Sequence, residues 1–106
     1  MAYIYKVDFD IQSDLKEELE IGSSLERVLS YLKTLLPSMP GFVSARSMYS
    51  LQTGDKTHII FESVWETWED LENHQKSSLQ EDKILKEFEP HVKIEDLMSR
   101  VYEEIS

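Results

Sequence analysis

The chain has 106 residues, near the usual size of one domain, so a single domain spanning 1–106 is expected and a cleft between two domains is not. Hydrophobic residues make up 41% and charged residues 30%, with three Gly and three Pro, which fits an ordered globular chain rather than a linker or low-complexity one. The absence of cysteine excludes disulfides, thiolate catalysis and iron–sulfur clusters and points to the cytoplasm. A net charge of −10 makes nucleic acid a poor partner, and no apolar run approaches the roughly 18 residues that span a membrane.

Residues 2 to 11 alternate Tyr3, Tyr5, Val7, Phe9 and Ile11 with Ala2, Ile4, Lys6, Asp8 and Asp10, the period of two that predicts a strand. Residues 12 to 22 carry Leu15 and Leu19 at i,i+4 and close on Gly22, which suits either a short helical turn or an acidic loop. Glu17, Glu18 and Glu20 there read as a solvated face. Ser23 and Glu26 have capping-box spacing, so a helix is expected to start at that point. Its apolar stripe is Leu25, Val28, Leu29, Leu32, Leu35 and Leu36, and Pro37 ends it.

Met39-Pro40-Gly41 is turn chemistry, and Phe42 to Leu51 alternates as a second strand. Thr57 to Trp65 is a third, with Ile59, Phe61 and Trp65 on one face and His58, Ile60, Glu62 and Val64 on the other. Gly54-Asp55 lies in the turn between them, so the two form a hairpin. Thr67 and Asp70 cap a helix bearing Trp68, Leu71 and His74 on one side. Ser78 and Glu81 cap another bearing Ile84, Leu85 and Phe88, or the two are one kinked helix. Residues 94 to 105 fit two patterns, since Ile94, Leu97, Met98, Val101, Tyr102 and Ile105 make a helical stripe while Val101, Glu103 and Ile105 alternate like a strand.

With a strand at the end, the order is βαββαβ, an α+β fold of ferredoxin-like type with an antiparallel sheet. Helices cover one face of such a sheet, yet the third strand is apolar on both, so a second copy of the chain is the expected cover and a cavity between the two sheets the expected ligand site.

Met39-Pro40-Gly41-Phe42-Val43-Ser44, followed by Glu62-x-x-Trp65-Glu66 and then Leu71-x-x-His74, resembles the antibiotic-biosynthesis-monooxygenase-like family of dimeric α/β barrels. The resemblance implies a strand from about Met98 to Ile105, a homodimer, and the oxidation of a small quinol or polycyclic aromatic by dioxygen with no cofactor. The haem-degrading branch is not matched: it carries an Asn on the first strand, and the one Asn here is Asn73. Aligned on Trp65, that branch's Trp falls on His74 and its His near Ile84. Quinol-oxidising relatives often carry a second His shortly after the first, where this chain has Ser78-Leu79-Gln80.

The candidate catalytic residue is His74, whose imidazole can move a proton near neutral pH. Trp65 and Phe61 are candidate walls for a small hydrophobic or aromatic ligand, and Trp65 serves equally as buried core. Arg46, Glu62 and Tyr49 are candidate polar anchors, with a plain cross-strand ion pair as the other role of Arg46 and Glu62. His58 and His91 have no metal-ligand spacing with His74, so no metal is expected. Lacking the second His, the chain also fits a non-catalytic dimeric module that binds a small hydrophobic ligand in a stress or regulatory role.

Overall fold

The computed structural model describes residues 2–12, 17–50, 54–89 and 91–105, with residues 17–20 traced by their backbone alone. Strand β1 (Tyr3–Gln12) pairs antiparallel with β3 (Lys56–Trp65) from Tyr3↔Trp65 to Gln12↔Lys56. On its other side β1 pairs with β4 (Met98–Glu103), while β2 (Phe42–Tyr49) pairs with β3, giving the sheet order β2-β3-β1-β4. Helices α1 (Glu17–Leu35), α2 (Trp68–Ser77) and α3 (Leu79–Phe88) complete the α+β ferredoxin-like arrangement.

The period of two sends Tyr5, Val7, Phe9 and Ile11 of β1 and Ile59, Phe61 and Trp65 of β3 to the same face, where all are buried. Helix α1 meets them with Ile21, Leu25, Val28 and Leu32, and α3 with Ile84 and Phe88. Each such side chain fully buried contributes about 1.5–3 kcal/mol, so this one layer between helices and sheet carries most of the apolar stabilisation.

Several elements differ from the sequence expectation. Helix α1 is already under way at Glu17 and runs through Gly22, so Ser23 is an exposed interior residue rather than a cap. The stripe begins one turn earlier, because Ile21 lies four residues before Leu25 and is 5% exposed. That burial offsets the roughly 1 kcal/mol a helical glycine costs. Leu15 and Leu51 lie outside the described residues.

In β2 the register shifts between Phe42 and Ser44. The bulge leaves Val43 exposed and turns Phe42 toward Trp65, ring centroids 5.7 Å apart. Thr67 caps α2 as expected, its hydroxyl accepting from the Asp70 amide at 3.1 Å. Ser78 makes no such bond: it sits at φ 55, the left-handed corner that separates α2 from α3, so these are two helices rather than one kinked one. The final segment is a strand, ending at Glu103 rather than Ile105, because β1 offers its free edge from Tyr3 to Asp8.

Among the described residues, no helix covers the opposite face of the sheet. Its rungs read Ser44–Val64–Ile4–Tyr102, then Arg46–Glu62–Lys6–Arg100, then Met48–Ile60–Asp8–Met98. His58 bridges two carboxylates there, its Nε2 2.9 Å from Asp8 and its Nδ1 2.8 Å from Asp10.

Candidate functional site

His74 lies in the last turn of α2 and is 1% exposed. Three residues on a helix advance about 300°, so Leu71 is 60° from His74 and Trp68 is 120° from it. Leu71 is therefore buried beside His74, whereas Trp68 falls at the flank, half exposed, with its edge against Tyr3 at 6.1 Å. The expected common face thus holds for two of the three.

The imidazole lies nearly flat on the Trp65 indole, ring centroids 4.7 Å and planes 26° apart, and Tyr5 closes it edge-on at 5.5 Å. Its Nε2 is 2.9 Å from Gln80 Oε1, which also accepts from Ser63 Oγ at 2.9 Å. Ser63 in turn accepts from Trp65 Nε1 at 2.9 Å, and Gln80 Nε2 donates to the Phe61 carbonyl at 3.0 Å. Ser63 and Gln80 are wholly buried, so each of these bonds satisfies a group that would otherwise cost about 1–3 kcal/mol. His74 Nδ1 alone in this network has no partner among the described residues.

Burial lowers the His74 pKa below its ordinary value, against the opposing pull of the Gln80 bond. The ring is held neutral, the form that can accept a proton. Next to it the Tyr5 hydroxyl donates to Glu81. The Glu81 carboxyl is pushed up, first by burial and further by the nearby Asp82, against a backbone hydrogen bond of its own.

The six residues singled out in the sequence do not converge. His74 and Trp65 stack, and Phe61 joins them through its carbonyl while its ring packs with Phe9 and Phe88. Tyr49 is on the same sheet face but pairs with Ile59, six residues along β3 from Trp65 and so about 20 Å away. Arg46 and Glu62 lie on the other face and form an ion pair at 2.6 Å, with Arg46 largely in solvent. A space enclosed by two uncovered faces would therefore hold Arg46 and Glu62 but not His74.

Tyr5, Ser63, Gln80 and Glu81 were missed. Ser63 and Gln80 did leave a signal: Ser63 stands between Phe61 and Trp65 on the inward side of β3, and Gln80 heads the i,i+4 series Gln80, Ile84, Phe88. A polar residue in an apolar stripe is a buried polar group that must find a partner.

A cleft of about 350 Å³ is lined by Asp10, Ile11, Gln12, Lys56, His91 and Asp96, and one of about 550 Å³ by Leu85, Val92 and Ile94 among others. Neither reaches His74. The described residues contain no cluster of three or more His, Asp or Glu able to hold a metal ion, and no helix among them is long and apolar enough to cross a membrane.

Among solved structures, a candidate antibiotic biosynthesis monooxygenase from Bacillus cereus matches at a TM-score of 0.67 and 14% identity, covering 95% of this chain and 90% of that one. The chain shares its fold. A dimeric ferredoxin-like protein of unknown function from Bacteroides fragilis matches at 0.64 and 14% identity, over 97% and 96% of the two chains. SnoaB, a cofactor-independent oxygenase from Streptomyces nogalater, matches at 0.61 and 10% identity, over 99% and 94%. No protein-family model and no curated protein matches the sequence. The resemblance to antibiotic-biosynthesis-monooxygenase-like proteins therefore holds at the level of structure, where a fold carries many activities.

Proposed function

We propose that the protein is a homodimeric, cofactor-independent monooxygenase acting on a small quinol or polycyclic aromatic, with His74 as proton acceptor. The single observation that carries this is the His74 ring: neutral, stacked on Trp65 among buried aromatic side chains, and left with an Nδ1 that has no partner among the described residues. Nδ1 takes the proton of a phenolic or enolic hydroxyl. The resulting anion is electron-rich and reduces dioxygen itself; one oxygen atom forms a carbonyl at a ring carbon that bore hydrogen, and the other leaves as water with that hydrogen and the hydroxyl proton, the substrate supplying all four electrons. Exclusion of water keeps the anion unsolvated and strengthens its reducing power. The reaction belongs to the interior of each subunit, between helices and sheet, since that is the side His74 and Trp65 occupy.

The partner is a second copy on the uncovered face. Ile4, Ile60, Val64, Met48, Met98 and Tyr102 are its apolar part, and Met98 and Tyr102 are exposed. Its charged strand residues are Lys6, Lys56, Arg46 and Arg100 against Asp8, Asp10 and Glu62. These strand residues are four cationic against three anionic, on a chain whose net charge is −10, so this face repels a second copy less than the chain's overall charge would. Neighbours of the same fold that are described as dimeric support a homodimer.

Oxygen uptake with anthrone and hydroquinone as probes is the test. Uptake well above the uncatalysed rate, reduced about 100-fold in His74→Gln, is the expected result. A folded wild-type dimer that turns over neither probe overturns the proposal. One observation favours a second reading, the non-catalytic dimeric module: His74 is 1% exposed and the two clefts described above do not reach it, as suits a purely structural histidine.

A further inference from the structure

Gln80 occupies the stretch in which quinol-oxidising relatives carry a second histidine, and the structure gives it a definite task. Its Nε2 donates to the Phe61 carbonyl at 3.0 Å. Turned the other way, the amide would set oxygen against oxygen at Phe61, so its orientation is fixed. Oε1, which can only accept, then faces both Ser63 Oγ and His74 Nε2, each at 2.9 Å. The Ser63 hydroxyl accepts from Trp65 and so spends its own hydrogen on Gln80. A neutral imidazole nitrogen opposite an acceptor must carry the ring hydrogen, which leaves Nδ1 with the lone pair.

We infer that Gln80 is a positioning residue that holds His74 as the Nε2–H tautomer, so that Nδ1 is the atom that meets a hydroxyl of an aromatic ligand. This rests on the reading of His74 as proton acceptor and names which nitrogen does the work. A carboxamide does not titrate, so the tautomer stays the same across the working pH range, which a second histidine would not ensure. The buried chain Trp65–Ser63–Gln80–His74 also ties the α2–α3 corner to β3, and so fixes where Nδ1 stands relative to the Trp65 indole.

The test is a long-range 1H–15N spectrum of protein labelled at histidine nitrogen, taken near pH 7 on the full chain. In the wild type, His74 Nε2 is expected to resonate as a protonated, pyrrole-type nitrogen and Nδ1 as an unprotonated, pyridine-type one. In Gln80→Glu the carboxylate faces Nε2 and favours the imidazolium, so both nitrogens become protonated. Anthrone turnover near pH 7 then falls at least about 10-fold, and the activity limb moves to higher pH. Ser63→Ala keeps the Gln80–His74 bond and the wild-type nitrogen pattern. Nδ1 protonated and Nε2 bare in the wild type would overturn the inference without any variant being needed. A Gln80→Glu spectrum unchanged from wild type would do so as well. The expected nitrogen pattern in a wild type that turns over no probe would sustain the tautomer and overturn the catalytic reading instead.

Discussion

Trp65 and His74 lie face to face, centroids 4.7 Å apart, although one ends a strand and the other sits in the last turn of a helix that begins three residues later. A sharp turn makes this possible. Gly41, at φ +80, closes against the start of α2, its carbonyl accepting from the Glu66 amide at 2.8 Å, and Thr67 caps the helix immediately afterwards.

That close approach is testable at Gly41. A Cβ there would overlap the Asp70 carboxylate, and the left-handed backbone is itself strained for any other residue. Gly41→Ala is expected to cost at least about 2 kcal/mol, read as a lower urea midpoint. A variant as stable as wild type would show that the cap is not held by this contact.

The buried hydrogen-bond chain predicts a cost for its central hydroxyl. Ser63→Ala leaves the Trp65 Nε1–H without its acceptor in a site that is 0% exposed. A loss of about 1–3 kcal/mol follows, measured by equilibrium unfolding. Stability within about 0.5 kcal/mol of wild type would place water, rather than Ser63, at the indole nitrogen.

Two groups give opposed pH dependences. The folded-state pKa of His74 lies below its unfolded value of 6.5, so the stability it contributes is complete above that pH and is lost as pH falls through the folded pKa. The folded-state pKa of Glu81 lies above 4.5, so its contribution is present below that pH and is lost as pH rises through the folded value. His74→Gln should flatten the fall in melting temperature as pH drops below about 6.5, and Glu81→Gln should flatten the loss as pH rises from about 4.5. Thermal scans across that range check both, and unaltered slopes in either variant would remove that residue from the account.

The uncovered sheet face predicts the assembly state. Ile60→Asp adds an unpaired charge beside Asp8 at the centre of that face while leaving the helix-side core intact. Sedimentation should show a dimer for wild type and a folded monomer for Ile60→Asp. A wild type that stays monomeric at micromolar concentration would require another cover for Ile60, Val64 and Met98.

Local pattern settled much of the architecture. The alternation in Tyr3–Ile11 and Thr57–Trp65, the Thr67 cap and the Pro37 stop are short-range features, and each is governed by backbone chemistry within a few residues. The alternation of β1 likewise set Tyr5, Val7, Phe9 and Ile11 on one face, the one that is buried. Tertiary structure decided the rest. Residues 98–103 are a strand because the edge of β1 supplies hydrogen-bond partners that no local period reveals, and α1 starts early because Ile21 finds a buried place against the sheet. Whether Arg46 and His74 share a site depends on which sides of one sheet they occupy, which the strand pairing and the α2–α3 corner fix together. The link from His74 through Gln80 to Ser63 joins a helix end, a helix start and a strand. Polar groups buried together there bond to one another because, once folded, no water remains to bond to them.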